Sequence, residues 1–335
     1  MPLQVAIGHA SLTGPRERNE DFCGVATPVG LELENKGVLA AVADGIGGHK
    51  GGREAAEYTV RGLLADYFST PDTWSVPRAI ETVSTALNRW VIAEASRNAE
   101  LAGMATTLSA IVLRGRRFYT AHIGDSRIYR FQEGQLRPLT VDHTWEHPEL
   151  NNVLSRAIGL DPRVLMDFAD GELAVNDRFL LVSDGVWGVL PDALMAEVLL
   201  DHPEPHAAAV ALASLALAQG GHDNASAVIV DILAIPPANL RDSLESAVSL
   251  PLPHRLKPGH ELDGLLVDEV LHDARETLLY RVHNPRNGQQ LVLKTLQPTM
   301  EGDLGATAAL LMEEWRARRV VSPFFPQVVP SEQRS

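Results

Sequence analysis

Cysteine is almost missing from this sequence: there is one, Cys23, in 335 residues. A lone thiol excludes an internal disulfide and any cysteine-built zinc site, and it fits a reducing compartment, which we read as the cytoplasm. Long apolar runs are missing too. The most apolar stretch, AAAVALASLALA from Ala207 to Ala218, is well short of the roughly 18 to 20 residues that span a bilayer, and it reads as a buried helix. The N-terminus has neither a basic start nor a long apolar core, so no secretory leader or membrane segment is expected. Positive charge is also scarce, with 29 basic residues against 43 acidic ones and a net charge of -14. Broad attraction to nucleic acid or anionic lipid is thereby excluded, whereas bound divalent cations are in keeping with such a balance. The rest, 45% hydrophobic and 21% charged, is the composition of a folded globular protein.

Along the chain, residues 1–235 mix short apolar runs, turn signals and a few helical segments. GVLAAVADG, TTLSAIVLRG, RFYTAHIGDSRIYRF, DRFLLVSDG and NASAVIVDIL are β-rich and bounded by Gly, Asp or Asn, as strands are. REAAEYTVRGLLADYF and VPRAIETVSTALNRWVIAEASRNA carry apolar residues at helical spacing. Strands joined by tight turns favour antiparallel sheets with helices packed outside them, an α+β architecture. Residues 236–260 are dense in Pro and Ser and read as a linker. A second folded piece, residues 261–335, has three strand-like runs and a helix around ALLMEEWRARRV.

The stretch DGIGGHKGG from Asp44 to Gly52 has five glycines in nine residues behind an apolar run. Neither nucleotide fingerprint fits it. A dinucleotide loop starting at Gly45 needs Gly where this chain has Lys50, and a Walker loop needs Ser or Thr where Lys50 is followed by Gly51. The aspartate is the more telling part, because the device recurs. Asp44 and Asp184 each end an apolar strand in "DG", Asp125 lies in the turn of IGDSR, and Asp223 precedes a strand in GGHDNAS. A single Asp in a Gly-rich turn is usually a turn former. Four at strand ends suggest one shared site, and clustered carboxylates need a hard cation such as magnesium or manganese to coexist. RERNED adds Arg16, Glu20 and Asp21 near the start.

RERNED, ADGIGGHKGG, MATTLSAIV, AHIGDSRIY, LTVDHT, LSRAIG, LLVSDGVW and GHDNAS together resemble, in order and separation, the motifs of metal-dependent protein serine/threonine phosphatases of the protein phosphatase 2C type. The resemblance covers about residues 3 to 233. It implies an α-β-β-α sandwich, two stacked antiparallel sheets flanked by helices, with two manganese or magnesium ions in a cleft at one end. It implies that Asp44 bridges both ions, that the Gly45 carbonyl binds one, and that Asp184 and Asp223 complete the first. Glu20 would hold the second, largely through water, with Asp21 supporting it, and Asp125 would serve a third, weaker site. Arg16 would grip the substrate phosphate. The implied reaction is hydrolysis of phosphoserine or phosphothreonine in a phosphorylated protein by a hydroxide bridging the two ions. Two departures stand out. Ile46 occupies a position that is His, a proposed proton donor, in many eukaryotic members, with His49 nearby. The segment between LTVDHT and LSRAIG, from Trp145 to Asn152, is only a stub where bacterial relatives carry a flap.

The second piece resembles the N-lobe of a serine/threonine protein kinase, as in bacterial fusions of the two enzymes. Lys294 lies mid-strand in LVLKTL and Glu313 lies on the helix that follows, the pair that orients ATP phosphates in kinases. The glycine-rich loop and the catalytic-loop motifs are missing, so the expected lobe is a partial one, with a cognate kinase as a candidate partner. The rival readings are a non-catalytic phosphatase-like scaffold and a truncated bifunctional kinase and phosphatase.

Overall fold

In the computed structural model the described residues are 2–46, 51–145, 153–237, 251–320 and 324–329. His49 and residues 146–152 of the stub lie outside them. The chain forms two compact units, Met1–Pro237 and Ala238–Ser335.

The first unit runs β1 (Gln4–Leu12), β2 (Phe22–Ala26), α1 (Leu31–Lys36), β3 (Val38–Ala43), β4 (Gly45–Ile46), α2 (Gly51–Ser69) and α3 (Val76–Arg97). It continues with β5 (Ala105–Thr106), β6 (Leu108–Arg114), β7 (Arg117–Ile123), β8 (Arg127–Gln132), β9 (Gln135–Pro138), β10 (Asp167–Glu172) and β11 (Arg178–Val182). It closes with α4 (Asp184–Trp187), α5 (Asp192–Asp201), α6 (Pro205–Ala218) and β12 (Ala225–Ala234). Two antiparallel five-stranded sheets result, in the orders β1-β12-β11-β8-β9 and β10-β7-β6-β3-β2, with β4 and β5 as a small extra pair.

Why VLAAVA can be apolar at every position follows from where β3 lies. All six of its residues are buried, because both faces of the strand are covered. Side chains alternate across a strand. Val38, Ala40 and Val42 therefore meet Phe179, Leu181, Val228 and Val230 of the other sheet, while Leu39, Ala41 and Ala43 meet Ala55, Val60 and Leu63 of α2 and Ile80 of α3. On the opposite side Leu180, Val182 and Ile229 pack against Met195 of α5 and Leu212 and Ala213 of α6. The layers are helix, sheet, sheet, helix.

RFYTAHIGDSRIYRF does not form a hairpin. β7 belongs to one sheet and β8 to the other, so the chain crosses between sheets at Gly124, Asp125 and Ser126. Hydroxyls hold that crossing: Ser109 Oγ donates to the Ser126 carbonyl at 2.6 Å, and the Thr107 and Ser126 hydroxyls lie 2.7 Å apart. Asp125 is thereby fixed between the two sheets at one end of the sandwich.

The second unit has β13 (Glu261–Leu262), β14 (Leu265–Asp273), β15 (Thr277–His283), β16 (Gln290–Leu296) and α7 (Leu304–Ala317). Its strands make one antiparallel sheet in chain order, over a small core of Val267, Leu278, Tyr280 and Val282. Leu256, from the Pro-rich stretch before the sheet, is part of that core, and its backbone N–H donates to the Tyr280 hydroxyl at 3.2 Å.

Candidate active site

A cleft of about 900 Å³ opens at the end of the sandwich, and Arg16, Glu20, Asp44, Gly45, Asp125, Asp184 and Asp223 line it. Residues from five distant parts of the chain meet there because each sheet contributes strand ends. Asp44 follows β3 directly, Asp184 opens α4 just beyond β11, and Asp223 precedes β12. Asp21 stands behind the cleft, buried, with Ser183 Oγ donating to its Oδ2 at 2.7 Å.

The backbone of Asp44 is clamped from both sides. Its N–H donates to Thr107 Oγ1 at 2.8 Å, while its carbonyl accepts from Thr106 Oγ1 at 2.8 Å and from Thr107 N–H at 2.9 Å. Both "DG" glycines have a steric reason. A Cβ on Gly45 would lie 2.2 Å from the Gly52 carbonyl oxygen, and one on Gly185 would lie 1.9 Å from that of Asn224. Only glycine lets those backbones pass so close to the carboxylates. Asn224 ties the site together: its side chain donates to the Thr13 and Arg18 carbonyls and accepts from Glu20 N–H at 2.7 Å.

Burial and mutual repulsion dominate the electrostatics. Burial above all, helped by Asp21, Asp184 and Asp125, raises Asp44 well above the usual carboxylate range. Asp125 is pushed up to about 7 by burial and then by Asp184 and Asp142. Asp21 is pushed up to about 6, chiefly by burial, against the lowering hydrogen bonds of Ser226 and Ser183. Asp184 is raised by burial and by Asp223. Its Oδ1 is buried with no hydrogen-bond partner. An orphaned carboxylate oxygen among self-repelling carboxylates is the donor set a hard cation fits.

Among the described residues no three His, Cys, Asp or Glu side chains already stand as an ion cage. Arg16 Nη2 is bonded to Asp223 Oδ2 at 2.6 Å, and Arg16 Nε donates to the His222 carbonyl at 3.1 Å. Arg16 thus serves as counter-ion to the carboxylate beside which it lies.

Ile46 lines the cleft and is about one-third exposed; its side chain has no proton to give. Lys294 and Glu313 belong to the second unit, where Lys294 Nζ meets Glu313 Oε2 at 2.6 Å. Thr106, Thr107, Ser183 and Asn224 are functional supports that the sequence reading did not single out. Their signal was present, since each adjoins an aspartate or lies in a quoted motif, but a lone hydroxyl or amide in sequence has many uses.

Comparison with known proteins agrees with this geometry. The family profile described as Protein phosphatase 2C matches residues 16–233. The serine/threonine phosphatase stp of Listeria innocua is 32% identical over 235 residues, covering 64% of this chain and 91% of the relative. The solved structure of the Mycobacterium tuberculosis serine/threonine phosphatase PstP superposes with a TM-score of 0.60 at 30% identity, over 69% of this chain and 99% of that one. A structure of the PstP catalytic domain with two manganese ions has a TM-score of 0.57 at 29% identity, covering 69% of this chain and all of that one.

Proposed function

The chain belongs to the protein phosphatase 2C family and is a metal-dependent serine/threonine phosphatase, and from that premise we propose how its own residues divide the work. Asp44, Asp184 and Asp223 would hold one of two manganese or magnesium ions, and the Gly45 carbonyl would bind one of the two. Asp44 and Glu20 hold a second, backed by Asp21, and Asp125 serves a third, weaker position. Bound there, the ions supply positive charge against the phosphate and acidify water near neutral pH. Arg16 leaves Asp223 to grip a phosphate oxygen pair through its planar fork. It can do so cheaply, because the Arg16–Asp223 pair is well exposed, and exposed pairs contribute at most about 1 kcal/mol. The Thr106 and Thr107 clamp would hold the Asp44 backbone in place beside the ions. The observation that carries this reading is the buried, unpartnered Asp184 Oδ1.

Phosphate release from a phosphothreonine peptide tests it in three arms. The expectation is turnover with manganese, none with EDTA, and a fall of at least about 100-fold for Asp44→Asn. Equal release in all three arms would overturn it. We place the activity in the cytoplasm, on phosphorylated proteins. Among the described residues no helix is long and apolar enough to cross a membrane.

The division into a phosphatase domain at 1–235, a linker at 236–260 and a partial kinase-like N-lobe at 261–335 belongs to the same proposal. The Lys294–Glu313 pair, joining β16 to α7 across an antiparallel sheet, supports the kinase-like reading and a cognate kinase as partner. Titration of the full chain with magnesium and ATP tests it: binding is expected, and Lys294→Ala is expected to abolish it. Equal binding by both forms, or none by either, would remove the nucleotide role.

A further inference from the structure

Two departures in the sequence have no part in the proposed chemistry: Ile46, where a proton donor would stand, and the shortened segment that ends at Asn152. Ile46 and Val153, the residue that follows that segment, both line the catalytic cleft. Gly45 pairs with Thr106 and Ile46 with Ala105 across β4 and β5. On the far side of β5, Thr106 pairs with Ile158, and the two exchange N–H to carbonyl bonds of 2.9 Å in both directions. Side chains alternate along such segments, and those of paired residues share a face. Ile158 is fully buried in the core under α2 and α3. Ile46, Ala105 and Ala157 therefore take the opposite face, and all three line the cleft.

Ala105 and Ala157 are buried, while Ile46, Val153 and Leu160 line the same cleft at 36%, 46% and 56% exposure. Large apolar side chains left open to water inside a concave site mark where an apolar partner is received. Leu160 is also held in place. Asn88 of α3, fully buried, accepts from Gly159 N–H at 2.6 Å and donates to the Asp161 carbonyl at 2.8 Å, one bond on each side of Leu160. A buried amide bonded across a surface turn fixes what that turn presents. The apolar strip starts one residue from Gly45, whose carbonyl is proposed as an ion ligand, so a substrate whose phosphate meets the ions lays a neighbouring residue against it. Resting on the phosphatase reading above, we infer that this strip receives an aliphatic side chain of the phosphoprotein substrate, close in sequence to the phosphorylated residue. The enzyme then selects phosphoserine and phosphothreonine sites flanked by Leu, Ile, Val or Met.

In the test, the manganese-loaded full chain is given phosphothreonine peptides that differ only by Leu or Asn, at each position from one to three residues on either side. Wild type is expected to favour Leu by about tenfold in kcat/KM at one position, mostly through KM. Leu160→Asn and Val153→Asn are expected to reduce that ratio to below about twofold and Leu160→Met to retain it, while kcat on the Asn-bearing peptide stays within about twofold of wild type. A wild type indifferent to Leu at every position overturns the inference, and so does a preference that survives both Asn variants. If that indifference comes with self-association that Leu160→Asn abolishes, the strip belongs to a second copy of the chain instead. Absence of turnover of every peptide by wild type would remove the phosphatase assignment on which the inference rests.

Discussion

His122 stands inside the sandwich behind the Asp125 crossing, with Nδ1 2.9 Å from Ser109 Oγ and Nε2 3.0 Å from the Val141 carbonyl. Burial first, and neighbouring His143 second, push it down to about 4 from an ordinary 6.5. The unfolded chain takes up a proton below 6.5 that the folded one refuses until about 4. The stabilisation is therefore complete above pH 6.5 and is lost as pH falls toward 4, by roughly 3 kcal/mol at one pKa unit per 1.36 kcal/mol. Urea unfolding of wild type and His122→Asn between pH 7.5 and 4.5 checks this: the stability gap between the two is expected to close as pH falls. Asp21 and Asp125 act with opposite sign. Raised to about 6 and about 7, they favour the folded state below the ordinary carboxylate range, and that contribution is lost as pH rises through their folded values. Protein stripped of metal is thus expected to lose stability between pH 4 and 7 at these two sites, and saturating manganese is expected to cancel that loss.

The elements themselves were legible in proportion to how local their signals are. GVLAAVA, DRFLLVSDG and NASAVIVDIL became β3, β11 and β12, because a strand covered on both faces advertises itself as an unbroken apolar run. The two amphipathic helices were equally plain. What a sequence does not contain is the sheet to which a strand goes. IGDSR reads as a tight turn, and what that turn joins, one sheet to the other, is set by long-range packing. The carboxylates Asp44, Asp125, Asp184 and Asp223 were visible by recurrence, whereas the Thr106 and Thr107 clamp was not, because its partner lies some 60 positions away. The "DG" turns make the sharpest test at this scale. Gly185→Ala puts a methyl group 1.9 Å from the Asn224 carbonyl oxygen, backbone against backbone, where overpacking typically costs 1–3 kcal/mol or more, roughly. We expect a fall in Tm by thermal melting together with loss of turnover. A variant of unchanged Tm would show that the close approach at α4 relaxes freely.

At the scale of the whole molecule, each core cluster lies within one unit. The three cores of the sandwich end at Ile235, and the fourth begins at Leu256. Units with separate cores are free to unfold separately. Calorimetry of the full chain is expected to resolve two transitions, of which manganese raises one and leaves the other, the β13 to α7 unit, in place. A single transition moved as a whole by manganese would argue that the two units fold as one.

Arg16 and Asp223 neutralise one another at 2.6 Å, so whatever takes one of them sets the other free. An oxyanion on Arg16 leaves Asp223 available to a cation, and a cation on Asp223 leaves Arg16 available to an oxyanion. By thermodynamic reciprocity each must tighten the other by the same factor. With the roles proposed for these two residues, metal affinity is expected to climb with phosphate, so that the product of turnover would help to retain the cofactor.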